Sequence, residues 1–430
     1  MNYVLENATD TTGKIVEVVI ESGRIVSGRT KGVNHEIIDC KGLHVLPGFV
    51  DLHTHLREPG FENSETIQSG SRSAAAGGYT AVHAMANTFP VADTAGVVEQ
   101  VFRIGGEVGL VQVQPIGAVT VGLQGVQLAE LGAMHDSAAN VRIFSDDGNC
   151  VHDPLLMRRA LEYVKAFDGI VAQHAQDPRL TKNSQMNEGR VSSRLGLAGW
   201  PALAEESIIS RDIMLTELTG SRLHVCHVST RRSVELIRDA KARGISVTAE
   251  VTPHHLILTE DFAETYDPVY KVNPPLRTSD DVKALREGLI DGTIDVIATD
   301  HAPHPKESKD TEWGSAAFGM IGLEHAYSIA QLVLIDSGNS SMTRLAEVMS
   351  VAAARISGLV DQGNYLEVGS VANLTLVDTK MGWNAESRTN SKSSNNPYVG
   401  MDFTGAVVHT IYDGEFTLRD QLLRKDESDV

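Results

Sequence analysis

Phe49-Val50-Asp51-Leu52-His53-Thr54-His55-Leu56-Arg57-Glu58-Pro59-Gly60 is the stretch on which the fold turns. Pro47-Gly48 and an apolar run lead into it, the pattern of a buried strand, and strand alternation puts His53 and His55 on one side of its end. Two imidazoles facing one way begin a metal site. Two structural histidines beside a loop give the same short pattern, so the remainder of the chain decides between them.

Seven further runs share this texture, at residues 79–85, 110–116, 141–144, 169–174, 223–227, 246–251 and 294–299. Helical patterns lie between them, for example 154–165 and 233–243. Eight strand–helix units over roughly 250 residues predict an α/β fold, a (β/α)8 TIM-like barrel. A doubly wound open sheet has little support, because no Gly-x-Gly-x-x-Gly turn follows any of these strands.

β-Branched runs mark both ends of the chain: 14–20 and 23–26 as a hairpin around Glu21-Ser22, then 36–40, and later 372–378 and 406–412 before Asp413-Gly414. They predict a small β-sandwich domain formed from both chain termini, residues 1–47 and 366–430, beside a barrel domain over 48–365. The Ser/Asn-rich stretch between Lys380 and Val399 reads as a surface loop.

Composition limits the function. The 430 residues are 42% hydrophobic and 22% charged, a globular balance. A net charge of -19 repels phosphate backbones and anionic membrane surfaces, which argues against nucleic acid or membrane as partner. Cys40, Cys150 and Cys226 are scattered and odd in number, as in a reducing compartment. With no signal-peptide pattern at Met1-Asn2-Tyr3-Val4 and no long apolar span, a cytoplasmic protein is expected.

Polar residues gather where the predicted strands end: His53 and His55, Asn87, Asp146 and Asp147, His174, His227, and Asp300 with His304. Barrel enzymes build their sites at that face, so these distant residues should converge. Singly, each has a structural explanation, a core histidine, a turn at Asp146-Asp147-Gly148 or a cap at Asp300. Their common placement is hard to reconcile with independent roles. Four histidines with carboxylates suit zinc better than magnesium or calcium. Zinc lowers the pKa of bound water to about 7, and a bridging carboxylate can hold two such ions about 3.5–4 Å apart.

On these residues the sequence resembles the amidohydrolase superfamily, and within it the class I dihydroorotases of pyrimidine biosynthesis. The motifs are Asp51-x-His53-x-His55-x-Arg57, Met85-Ala86-Asn87-Thr88, Phe144-Ser145-Asp146-Asp147-Gly148, Glu250-Val251-Thr252-Pro253-His254-His255, Lys271-Val272-Asn273-Pro274-Pro275-Leu276-Arg277, Ala298-Thr299-Asp300-His301-Ala302-Pro303-His304 with Lys309, and Gly322-Leu323-Glu324. They span essentially the whole chain. One departure is Ala86 before Asn87-Thr88-Phe89-Pro90, where family members commonly have proline.

The resemblance implies two zinc ions per subunit, one held by His53, His55 and Asp300, the other by His174 and His227, with Asp147 bridging. Many relatives bridge with a carboxylated lysine, but no lysine lies between Lys41 and Lys165, which favours the aspartate. The implied reaction is reversible closure of N-carbamoyl-L-aspartate to L-dihydroorotate and water, with Asp300 as proton acceptor and donor. Arg57, Asn87 and His304 would clamp the substrate carboxylate beside His55, and Asn273 with the backbone at Phe318-Gly319 would hold the ring amides. His254, His255 and His301 are expected near the site, and His35, His44, His83, His135, His152, His224, His325 and His409 lack metal-like neighbours. Residues 305–317 read as a mobile lid. Expected partners are the small-molecule substrate, a second copy in a homodimer, and aspartate transcarbamoylase. The alternatives are a hydantoinase, dihydropyrimidinase or allantoinase, and a non-catalytic scaffold for aspartate transcarbamoylase.

Overall fold

A computed structural model describes residues 1–385 and 389–424. Eight parallel strands form the barrel in chain order: β1 (Phe49–Thr54), β2 (Tyr79–Ala84), β3 (Gln112–Pro115), β4 (Ile143–Phe144), β5 (Ile170–Gln173), β6 (Leu223–Val225), β7 (Val247–Val251) and β8 (Val296–Ile297). Ladders join β1 through β3 and β4 through β8. Single parallel bridges, Gly117 with Phe144 and Thr54 with His301, complete the two remaining seams. The last seam is reinforced by the buried Asp51 carboxylate, which accepts from Thr299 N at 3.1 Å and Thr299 Oγ1 at 2.6 Å. The strand carrying His53 and His55 is thereby tied to the one leading into Asp300. Every residue of β1 and β2 is buried, as parallel strands covered on both faces require.

Helices follow the strands on the outside, including Ile67–Ala76, Ala95–Val108, Pro154–Val164, Leu203–Thr219, Arg231–Ala242 and Ser279–Asp291. Thr66, Asp153, Thr230 and Thr278 start four of them, each accepting a first-turn N–H through its side chain. In Arg231–Ala242, Val234, Ile237 and Ala240 face the barrel while Arg232 and Arg238 are exposed, the pattern of a helix with one buried stripe.

Both chain ends build one nine-stranded sheet, in which His44–Pro47 pairs antiparallel with Leu374–Asn384. It curls over its own apolar face. Tyr3 and Phe416, on strands several places apart in the sheet, meet edge to face at 4.9 Å between ring centroids. Leu5, Ile20, Leu374 and Ile411 fill the space between. The predicted hairpin is present, pairing Ile15–Glu21 with Arg24–Val26 through Ser22-Gly23.

The Ser/Asn-rich stretch departs from its reading as a surface loop. Leu374–Asn384 runs on as strand through Lys380, and Asn395 is buried, donating to Ala302 O at 2.9 Å and Gly319 O at 3.1 Å and accepting from His304 N. Residues 386–388 of that stretch, and 425–430 of the predicted terminal domain, lie outside the described residues. Among the described residues no helix is long and apolar enough to cross a membrane. The three cysteines are free and buried.

Candidate active site

The strand ends bring the predicted histidines and aspartates together at one rim. Asp147 Oδ2 lies 3.5 Å from His53 Nε2 and 3.4 Å from His55 Nε2, while its Oδ1 lies 3.1 Å from His174 Nδ1 and 3.2 Å from His227 Nε2. His174 Nδ1 and His227 Nε2 are 2.8 Å apart. Asp300 Oδ1 completes the first group, 3.0 Å from His55 Nε2 and 3.5 Å from His53 Nε2. Two clusters of donor atoms, each able to hold a cation, therefore share one carboxylate. Asp146, its sequence neighbour, turns away and accepts from Val119 N and Thr120 N, both at 2.9 Å.

Backbone strain accompanies this convergence. Arg57, His227 and Asp300 have φ of 64°, 31° and 46°, left-handed values that cost side-chain-bearing residues about 1–3 kcal/mol each. Surrounding hydrogen bonds hold them there.

The outer nitrogens of three of the four rings are pinned, which turns their inner nitrogens toward the cluster. His53 Nδ1 donates to Glu250 Oε1 at 2.5 Å, His55 Nδ1 to Asn87 Oδ1 at 2.9 Å and His174 Nε2 to Gln176 Oε1 at 2.7 Å. Such outer partners fix which nitrogen points at a metal. His53 Nε2 is buried with no hydrogen-bond partner among the described residues, as a metal-facing nitrogen would be. Electrostatics agree. Burial disfavours charge on Asp147, yet His53, His174 and His227 outweigh it and hold the carboxyl well below its ordinary range. Asp300 falls to about 2, burial again being overcome, here by His53 and His55. Burial alone would lower His53, but Asp147, Glu250 and Asp300 drive it well above its usual value. A buried ring compelled to keep a proton among three carboxylates marks a place for a cation. Cys226 also lies beside His53 and Glu250, but burial pushes its thiol far up, so it stays protonated and serves as wall.

On the substrate side, Arg57 donates Nε–H to Pro303 O at 3.1 Å and forms no ion pair among the described residues. Burial lowers it only to about 10, so it remains a cation beside the clusters. His304 lies 3.5 Å from Arg57 Nη2 and donates Nε2–H to Phe318 O at 2.7 Å. Burial, with Arg57 and Lys309 nearby, takes it down to about 3, so the ring is neutral. Asn273 donates to Gln176 Oε1 at 3.2 Å, and its own Oδ1 is buried without a partner among the described residues.

Three of the four backbone groups of Phe318-Gly319 are already engaged: Phe318 O by His304, Gly319 N by Lys271 O, and Gly319 O by Asn395. The backbone expected to hold ring amides is thus narrowed to the Phe318 N–H. A Cβ at residue 319, where φ is 141°, would sit 2.8 Å from His304 Nε2, so only glycine fits. Residues 305–317 are tied down. Lys309 Nζ donates to Pro268 O, Lys271 O and Ala317 O at 2.8–2.9 Å, and Lys271 Nζ to Trp313 O at 2.6 Å.

Several contributors escaped the sequence reading. Glu250 was named within a family motif but given no role, yet it accepts from His53, from His224 Nε2 at 2.9 Å and from His227 N at 3.1 Å. His224, expected to lack such neighbours, is therefore one step behind the cluster. Gln176 and Asn395 carried no signal beyond polarity. His255 bonds Thr252 Oγ1 and Pro274 O, and His301 accepts from Gly322 N; both brace loops beside the site.

A barrel with a sheet built from both chain ends and a shared-carboxylate histidine cluster at its rim defines an amidohydrolase. Residues 42–233 match the family described as Dihydro-orotase-like. The chain is 61% identical over 386 residues to the dihydroorotase of Streptomyces coelicolor, covering 90% of each chain. It is 58% identical over 421 residues to that of Leifsonia xyli subsp. xyli, covering 97% of this chain and 96% of the other. Against the dihydroorotase of Mycobacterium tuberculosis the identity is 50% over 416 residues, covering 96% and 97%. Among solved structures, the L-hydantoinase (dihydropyrimidinase) of Arthrobacter aurescens superposes with a TM-score of 0.88 at 27% identity over 99% of this chain and 98% of that one. The dihydropyrimidinase of Brevibacillus agri, at TM-score 0.84, 22% identity and coverage of 98% and 96%, is alike in fold alone. The chain belongs to the dihydroorotase family.

Proposed function

We propose that this chain is a dihydroorotase of pyrimidine biosynthesis, interconverting L-dihydroorotate and N-carbamoyl-L-aspartate with two zinc ions bridged by Asp147. The observation that carries this reading is the division of Asp147, one oxygen toward His53 and His55 and the other toward His174 and His227. Asp300 belongs with the first pair. Bound there, divalent zinc supplies a Lewis acid for the ring carbonyl and a lowered pKa for the attacking water.

The chain's own residues supply the rest. Asp300 gives Oδ1 to the histidine cluster, and its Oδ2 makes no hydrogen bond among the described residues. That oxygen takes the proton of the attacking water and returns it to the ring nitrogen as the amide bond breaks; in the closing direction the same transfers run backwards. Arg57 meets the ring carboxylate with its terminal nitrogens in the planar two-point geometry a lysine cannot reproduce. Asn87, bonded to His55, and the neutral His304 frame that anion without adding a second charge. Asn273 Oδ1 and Phe318 N–H offer one acceptor and one donor to the ring amides. In the same reading, residues 1–47 with 366–424 form one unit and 48–365 the catalytic barrel, and the working form is a homodimer.

Partly buried and without a counter-ion among the described residues, Arg57 favours an anionic ring over the uncharged rings of hydantoins and dihydropyrimidines. The test is metal analysis and turnover on one sample, comparing dihydroorotate with dihydrouracil. Two zinc ions per chain and a strong preference for dihydroorotate are expected. Preference for the uncharged ring would overturn the substrate, and full activity without metal would overturn the mechanism.

A further inference from the structure

We infer that Gln176 is a positioning residue that sets Asn273 to receive a ring N–H and orients His174, through one carbonyl oxygen shared between them. The ring N–H rests on the dihydroorotase reading; the hydrogen-bond chain does not. Gln176 Oε1 is 2.7 Å from His174 Nε2 and 3.2 Å from Asn273 Nδ2. Its Nε2 donates to Thr181 Oγ1 at 2.7 Å, and Thr181 Oγ1 donates to Asp177 O at 3.0 Å.

The direction of every bond follows from proton count. A threonine hydroxyl has one proton, and Thr181 gives it to a carbonyl that can only accept, so Thr181 must accept from Gln176. The amide nitrogen of Gln176 therefore faces Thr181 and its oxygen faces His174. His174 must donate from Nε2, which leaves Nδ1 free to bind at the cluster with Asp147 and His227. The same oxygen claims the amide of Asn273, so Asn273 presents its oxygen to the site. That oxygen is buried and has no hydrogen-bond partner among the described residues. An unpaired buried acceptor selects a ligand that brings an N–H and rejects one that brings a carbonyl. Thr181, Gln176, His174 and Asn273 form one chain in which the second metal position and ring recognition share an atom.

The test uses Gln176→Met, Gln176→Glu, Asn273→Ala and the Gln176→Met/Asn273→Ala double variant. Each full-length protein is measured for KM and kcat with dihydroorotate and for zinc affinity by competition with a chromophoric chelator. Gln176→Met should raise KM about tenfold, the worth of one well-placed hydrogen bond. It should also weaken one of the two zinc ions about 10–100-fold, as loss of an outer partner does. Gln176→Glu keeps an acceptor toward both residues once the Thr181 hydroxyl turns from Asp177 O to donate to the new carboxylate. It should therefore lose clearly less than Gln176→Met on both measures, which separates loss of the acceptor from poor folding. In the Asn273→Ala background, Gln176→Met should no longer raise KM but should still weaken zinc. An undiminished KM effect in that background, equal losses in the Glu and Met variants, or zinc release unchanged by Gln176→Met would each overturn the inference. If wild-type protein does not turn over dihydroorotate, the substrate reading falls alone, and the zinc titrations still decide the Gln176–His174 link.

Discussion

Replacing Arg57 with methionine should separate binding from stability, because the structure places a large loss on binding and leaves the fold close to neutral. The guanidinium is partly buried, carries one hydrogen bond to Pro303 O at 3.1 Å and has no counter-ion among the described residues. Burial lowers it from 12.5 to about 10, a standing cost on the order of 3 kcal/mol at about 1.4 kcal/mol per pKa unit. Methionine removes that cost and forfeits the bond to Pro303, about 1.5–3 kcal/mol for a charged donor, so the fold should be left close to neutral. The left-handed φ of 64° burdens both unbranched side chains alike and cancels. The substrate carboxylate instead loses two charge-assisted bonds, about 3–6 kcal/mol together, or about 10²–10⁴ in kcat/KM. Steady-state kinetics with dihydroorotate and a thermal melt of the same preparation provide the assay. A Tm several degrees below wild type with KM changed less than about threefold would show Arg57 to be a brace of the fold, and the anion-clamp reasoning would be refuted.

Asp147→Asn exchanges a carboxylate shared by both clusters for an amide with one usable oxygen, so elemental analysis should find at most about one zinc per chain; two tightly held ions would exclude Asp147 as the bridge. Metal-stripped protein should lose stability as pH rises. His53 is raised above its unfolded value of 6.5, so its contribution is complete below 6.5 and is lost as pH climbs through the folded value. Zinc takes the place of that proton, and Tm measured from pH 6 to 9 should fall for stripped protein only; parallel slopes would contradict this. Lys309→Met removes the two bonds from Nζ that hold residues 305–317 against Pro268 and Lys271, and a third to Ala317 O within the segment. It should lower turnover about tenfold or more while zinc content stays at wild type, and hydrogen exchange should rise within 305–319; unchanged exchange there would remove the fastening role.

How much of this was legible in the sequence differs between wall and site. The barrel strands were readable because burial on both faces writes a mostly apolar run, and all eight fall inside or across the predicted runs. Their lengths were not. Only Ile143–Phe144 and Val296–Ile297 are paired as strand within the predicted 141–144 and 294–299, because apolarity reports burial, while the chain leaves the ladder early to bring Asp147 and Asp300 over the rim. Leu203–Thr219 left no readable stripe, since it buries Ile208, Ile209 and Ile213 yet exposes Leu203, Met214 and Leu218.

The first ring of the site was legible because its chemistry demands particular residue types at strand ends, so each histidine and aspartate announces itself by position and kind. The supports behind them obey no such restriction. Glu250 reaches His53 across 197 residues of sequence, and any acceptor of suitable length could have met the same ring nitrogen from another strand. Gln176 is two residues from His174 and still silent, because its role depends on Thr181 holding the amide one way round and on Asn273 arriving from the segment after β7. A side chain that touches the reacting centre is constrained by the reaction, whereas one that aims another side chain is constrained only by the fold. The residues most open to correction by structure are therefore those that set direction: Glu250 for His53 and Gln176 for His174.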